Sequence, residues 1–122
     1  MKKMRTVQKG RSGEKKAVEY LKNKGFEILF TNYRYGHKEI DIIARDKNYV
    51  VFIEVKAGQS KSFGPPQGWV NLKKQKKIAE VATAFLQKYQ FPGCDFRFDV
   101  IAIDRSSGKE MLEHIQNAFT LD

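Results

Sequence analysis

Glu39-Ile-Asp41-Ile-Ile-Ala-Arg-Asp46-Lys47-Asn48-Tyr49-Val-Val-Phe-Ile-Glu54-Val-Lys56 is the stretch from which the fold is read. It holds two β-rich runs, Glu39–Ala44 and Tyr49–Lys56, joined by a polar turn at Asp46-Lys47-Asn48. Such a pattern is a hairpin signal. Side chains alternate along a strand, so Asp41 is expected to share a face with Glu39, and Ile40 and Ile42 to share the other. In the second run Val51, Ile53 and Val55 take one face, while Val50, Phe52, Glu54 and Lys56 take the other. Both faces are apolar until the last residues, as in a central strand covered on both sides. A carboxylate and an ammonium then follow on a face that has just been apolar. Charges on a covered face are usually paired or bind a metal. Glu-x-Lys at a strand end also reads as a solvated salt bridge of little stabilising value. The facing carboxylate of Asp41 favours the other reading. Two carboxylates beside a lysine make a hard-oxygen site for Mg²⁺ or Mn²⁺.

Around this hairpin the chain reads as one domain over residues 1–122. Residues 1–12 are basic and polar, and are expected to be a loose arm whose charges, Arg11 among them, track phosphates or simply fray. Helix signals run from Ser12, as N-cap, to Lys24, with Gly25 as the stop. Glu14 lies on the same stripe as Ala17 and Val18. It either complements the helix dipole or looks across at the sheet. Phe26–Tyr35 reads as a first strand, ending in Asn32-Tyr33-Arg34-Tyr35. Aromatics interleaved with Arg34 suit nucleic acid, although Tyr33 is expected to pack. Residues 57–71 form a long loop of Gly, Pro and Ser, in which Trp69 anchors to the core or stacks on a base. A second helix follows over Leu72–Tyr89, capped by Asn71. Lys73, Lys74, Lys76 and Lys77 crowd its first turns and oppose its dipole; they read either as a contact for bound phosphate, which would relieve that conflict, or as a plain solvated face. Gln75 falls on its apolar stripe, near the loop. Asp95–Ile103 is a fourth strand, with Asp99 paired to Arg97, and Lys109–Ile115 returns as an edge strand; His114 reads as structural. The order helix, three strands, helix, two strands predicts a three-layer α/β domain with a mixed central sheet flanked by helices.

The net charge of +9, from 23 Lys and Arg against 14 acids, favours an anionic partner, with nucleic acid first and an anionic membrane surface well behind. One cysteine, Cys94, excludes an intrachain disulfide and fits a reducing, cytoplasmic setting. With only two histidines beside it, a structural zinc site is not expected. The N-terminus lacks the apolar run of a signal peptide, and no stretch approaches the ~18 apolar residues of a membrane span.

Asp41 followed by Glu54-Val55-Lys56 resembles the PD-(D/E)XK nuclease motif, without the Pro before the Asp. More particular is the set Gly10-x-x-Gly13-Glu14-x-x-Ala17, Glu39-Ile40-Asp41, Phe52-Ile53-Glu54-Val55-Lys56, Phe63-Gly64, Arg97-Phe98-Asp99-Val100 and His114-Ile115-x-Asn117-Ala118-Phe119. Together these resemble the YraN-type family, which is similar to archaeal Holliday-junction resolvases, over nearly the whole chain. Relatives commonly carry Gly at the place of Lys38, and Arg after the Glu-x-Lys where this chain has Ala57. The resemblance implies a resolvase-like fold, a nuclease acting on DNA rather than RNA, branched or junction DNA included, and a homodimer. It also implies Asp41 and Glu54 as ligands of Mg²⁺ or Mn²⁺, with the Val55 carbonyl as a further ligand and Glu14 holding a second metal or a water. Lys56 is expected to position or deprotonate the attacking water, and Gln75 to orient Lys56 or the phosphate. The alternative is a nucleic-acid-binding module that keeps the fold without catalysis.

Overall fold

The computed structural model describes the chain at residues 4–59, 64 and 68–120, with side chains from Gly13 onward. Its elements are α1 (Met4–Asn23), β1 (Glu27–Tyr35), β2 (Lys38–Asp46), β3 (Tyr49–Gly58), α2 (Leu72–Lys88), β4 (Asp95–Asp104) and β5 (Met111–Phe119). The five strands form one sheet in the order β1-β2-β3-β4-β5. β3 and β4 are parallel, with α2 in the connection between them, and the other neighbours are antiparallel. This is the mixed sheet that the pattern of runs predicts.

Burial on both faces follows from the two-sided apolar runs of β3. Val51 and Ile53 pack with Ala17 and Leu21 of α1, while Val50 and Phe52 pack with Ile78, Val81, Ala82 and Phe85 of α2. Aromatic edges close the α2 side, with Tyr33 and Phe85 ring centres 5.2 Å apart, so Tyr33 is a packing residue. Each well-buried Val, Ile or Phe side chain contributes about 1.5–3 kcal/mol, which is why the central strands dominate this core.

Three expectations need correction. The first helix starts at Met4, not Ser12, so from Met4 on the expected basic arm is helical backbone and Ser12 lies inside the helix. Nothing in that segment forbids it: proline is absent, and a helical glycine costs only about 1 kcal/mol. Residues 1–3 and the side chain of Arg11 lie outside the described residues. Second, β5 runs to Phe119 rather than Ile115, past a bulge at Asn117, whose φ is 52°. Its N–H donates to the buried Asp99 carboxylate at 2.9 Å, which holds the bulge in place.

The third correction shapes the site. Ile40 packs in the α2-side core and Ile42 in the α1-side core, so they do not share a face. Alternation breaks at Asp41, where β2 stops pairing with β3 beyond Ile42↔Ile53. The position opposite Asp41 on β1 is Asn32, between the pairs Thr31↔Ile42 and Tyr33↔Ile40. Asn32 has φ 51°, a left-handed conformation that asparagine tolerates better than most residues. The paired kink peels the start of β2 away from β3.

Gly13 explains how α1 sits. A Cβ at this position would stand 3.0 Å from the Ala57 Cβ and 3.8 Å from both Val55 and Ile103 side chains. The missing side chain lets the helix ride close on the end of β3, which brings the next residue, Glu14, to the split between β2 and β3.

Candidate functional site

Where β2 leaves β3, Asp41 takes over the missing ladder bond. Its Oδ2 accepts the Val55 N–H at 2.8 Å. Val55 therefore meets Asp41 through its N–H, a role distinct from the one expected of its carbonyl. Glu54 precedes it on the α2 side of β3, with its side chain 11% exposed. Glu14 comes from α1 and shares a hydrogen bond with the Asp41 carboxyl. Asn32 ties the arrangement together, its Nδ2 donating to Glu14 Oε2 at 3.1 Å and to Glu39 Oε2 at 2.8 Å.

Electrostatics follow from this crowding. Burial pushes the Glu54 carboxyl up to about 7, and the nearby Asp41 charge adds to the rise, against the pull of Lys74. Burial likewise raises Asp41, opposed by the Val55 N–H and Lys74, while Glu39 adds to the rise. The Lys74 ammonium lies 3.3 Å from Glu54 Oε2, whereas Glu54 Oε1 is buried with no hydrogen-bond partner among the described residues. An unsatisfied buried carboxylate oxygen is costly and demands a donor or a cation.

Glu14, Asp41 and Glu54 are thus linked in pairs, Glu14 to Asp41 and Asp41 to Glu54. Among the described residues, no three Asp, Glu, His or Cys side chains are set to enclose a metal ion by themselves. Lys56, half-buried, lines a cavity of about 210 Å³ together with Glu54, Val55, Lys74 and Trp69. Gln75 is held at the mouth of α2, its Nε2 donating to the Val70 carbonyl at 2.8 Å. Asn71 caps the helix by accepting the Lys74 N–H at 2.9 Å. Lys73, Lys76 and Lys77 are exposed on the first turns, and α2 has no acidic residue in its first turn. Arg34 is exposed and reaches Glu39 Oε1 at 3.5 Å.

Two site residues are not singled out by sequence pattern. Asn32 carries a signal, being a strand-depleted residue inside a strand run. Lys74 stands only as one among four lysines, and nothing in their spacing distinguishes the one that turns toward Glu54. Trp69 is half-buried against the α2-side core and donates from Nε1 to the Gly64 carbonyl at 2.8 Å, so it does anchor its loop. Loop residues 60–63 and 65–67, Phe63 of the quoted motifs among them, lie outside the described residues.

The other quoted motifs converge elsewhere. Asp99, fully buried, accepts from Arg97 Nε at 3.0 Å and lies 2.7 Å from His114 Nε2. His114 Nδ1 meets the Tyr20 hydroxyl at 3.0 Å, and Arg97 continues to Asp46 at 3.3 Å. This network pins α1, β4 and β5 together, in keeping with a structural His114.

Comparison with known proteins places the chain. A UPF0102 protein of Chlorobium phaeobacteroides (strain BS1) is 50% identical over 116 residues, which cover 90% of this chain and 92% of that one. A UPF0102 protein of Thermodesulfovibrio yellowstonii is 44% identical over 118 residues, covering 95% and 99%. One from Caldicellulosiruptor saccharolyticus is 43% identical over 112 residues, covering 90% and 95%. The model of the uncharacterised protein family UPF0102 matches residues 13–103, from the close-packed Gly13 to the end of the parallel pair. On this match and these relatives, the chain belongs to family UPF0102.

Proposed function

We propose that this protein is a metal-dependent nuclease of the PD-(D/E)XK kind that hydrolyses DNA phosphodiesters, branched or junction DNA included. The observation that carries the reading is the pairing of half-buried Asp41 with buried Glu54, the latter raised to about 7 and its Oε1 without a partner among the described residues. Like charges brought together out of water are a standing demand for a cation. The donor set is all oxygen, which fits Mg²⁺ or Mn²⁺. Asp41, Glu54 and the Val55 carbonyl would hold the ion, with Glu14 as a further carboxylate. Bound there, it supplies Lewis-acid stabilisation to a phosphodiester.

The chain's own groups supply the rest. Asn32 and the Val55 N–H fix the carboxylates before substrate arrives. Lys56, on the strand face of Glu54, brings an ammonium to hold the attacking water and offset charge building on phosphorus. Lys73, Lys76, Lys77, Arg34 and Arg11 track the flanking phosphates, and no described helix is long and apolar enough to cross a membrane. Gln75 acts on the site through Val70, whose carbonyl it holds.

One observation favours the second reading, a binding module without catalysis. Lys74 already pairs with Glu54, so the protein supplies a cation of its own to that carboxylate. A panel of junctions, flaps, single strands and RNA with Mg²⁺ or Mn²⁺ separates the two. The nuclease reading expects metal-dependent cleavage that Glu54→Ala abolishes; EDTA-insensitive cleavage or full activity of that variant would sink it. Tight binding with no metal-dependent cleavage of any substrate supports the binding module.

A further inference from the structure

Two cavities share a wall beside α2. The first is the 210 Å³ space that holds Glu54, Lys56 and Lys74. The second, about 230 Å³, is lined among the described residues by Trp69, Val70 and Gln75 on one part and by Val100, Ile115, Ala118 and Phe119 of β4 and β5 on the other. Trp69, Val70 and Val100 line both. α2 packs mainly on β2, and its Gln75 lines the second cavity together with Val100 of β4 and Ala118 and Phe119 of β5.

Its chemistry differs from that of its neighbour. The walls are apolar and in part aromatic: the Trp69 indole, and the Phe119 ring stacked on Phe98 at 4.9 Å between centres and 18° between planes. A single side-chain amide, Gln75, stands among them. One of its N–H groups is engaged by the Val70 carbonyl, and the amide carries a second N–H and a carbonyl oxygen for a further partner. Flat apolar walls with one two-way hydrogen-bonding group match a nucleobase, which has apolar faces and a donor–acceptor edge. The adjoining space offers a carboxylate and two lysines, as a phosphodiester with its metal requires.

We infer that the second cavity is a nucleobase subsite, taking one unstacked base of the strand whose phosphodiester lies at Glu54 and Lys56. This rests on the nuclease reading and narrows its substrate class. The strand must present an unpaired or easily unstacked nucleotide beside the cut, as a single strand, a flap or a branch point does. A continuous duplex must first flip a base, at a cost of a few kcal/mol.

Trp69 is the only tryptophan, so its emission reports on the wall that the two cavities share, and the abasic series tells which of them the base enters. Glu54→Gln protein is titrated in Mg²⁺ with a single-stranded oligonucleotide and with a set carrying one abasic position moved along the strand. The expected result is quenching of Trp69, lost together with about tenfold in affinity when the abasic site reaches one particular position, since a stacked base contributes ~1–3 kcal/mol. Ala118→Leu, which fills the cavity, should reproduce that loss on the intact strand and spare duplex binding. Because the abasic series uses the unaltered cavity, it decides the matter even if Ala118→Leu folds poorly. Salt-dependent binding with unchanged emission, or with a flat abasic series, overturns the subsite and leaves the nucleic-acid reading standing. No binding of any oligonucleotide overturns both.

Discussion

Glu54→Gln should change how stability depends on pH, in a direction and amount that the buried carboxyl sets. The Glu54 carboxyl is raised from 4.5 to about 7, by burial first and by Asp41 second. Below pH 4.5 it is protonated in both folded and unfolded chains and contributes nothing. Between pH 4.5 and 7 the folded chain keeps a proton that the unfolded chain has released, so stability falls as pH rises through this window. Above pH 7 the whole penalty is in place. At ~1.4 kcal/mol per pH unit it amounts to about 3 kcal/mol. Glutamine has no proton to lose. In chelator, the stability of Glu54→Gln relative to wild type should therefore climb by about 3 kcal/mol from pH 4.5 to pH 8, read by urea unfolding at each pH. For a domain of this size that is on the order of 10 °C in melting temperature. Mg²⁺ or Mn²⁺ at ~100 times its dissociation constant should return ~2.7 kcal/mol to wild type at pH 8 and little to the variant. A stability difference that stays level across the range would refute the reasoning, since Lys74 would then hold Glu54 ionised without burial penalty.

Gly13→Ala should lose the ~1 kcal/mol that alanine normally adds to a helix, because its Cβ meets that of Ala57 at 3.0 Å; Ala57→Gly in the same chain should restore the gain in thermal unfolding. Asp99→Asn should cost ~3–5 kcal/mol, as expected when a buried ion pair loses one partner, with the metal response of the folded protein unchanged. Burial raises Asp99, but hydrogen bonds from His114, Arg97 and the Asn117 N–H outweigh it and hold its pKa below the usual value. Its contribution should accordingly be present above the ordinary carboxylate range and fade as pH falls through the lowered pKa. Replacing Lys73, Lys76 and Lys77 with Gln should flatten the log–log salt dependence of DNA binding by ~0.9 for each phosphate no longer neutralised. Lys74→Gln should leave that slope nearly intact and instead raise Glu54 further.

Much of the architecture was legible because it rests on local pattern. The two-sided apolar run of Tyr49–Val55 predicts a central strand, and Val50 and Val51 do pack into opposite cores. Asp46-Lys47-Asn48 marks the hairpin, with Asp46 paired to Tyr49. Arg97 and Asp99, two residues apart on one strand face, announce their ion pair. What was not legible depends on partners distant in sequence. The phase of β2 slips because Asn32, on another strand, adopts a left-handed conformation opposite Asp41. A kink of this kind has no period to read. Lys74 turns toward Glu54 because its place on α2 meets the end of β3, a relation fixed by packing. Met4–Gly10 is helical although its composition resembles a tail, and Asn117 carries β5 past the point where its apolar run falters.

The connectivity also divides the labour along the chain. Glu14, Glu39, Asp41 and Glu54, with the Asn32 that positions two of them, all lie within the first 54 residues, on α1 and an antiparallel meander. Trp69, Gln75, Ala118 and Phe119, which shape the neighbouring cavity, all come later, with α2 and the strands that complete the sheet. Inheritance can therefore treat the two halves differently. Lys74 apart, substitutions in the later half can remodel what approaches the carboxylates without touching them, whereas a substitution in the first half bears at once on a kink, a close-packed glycine and four acids.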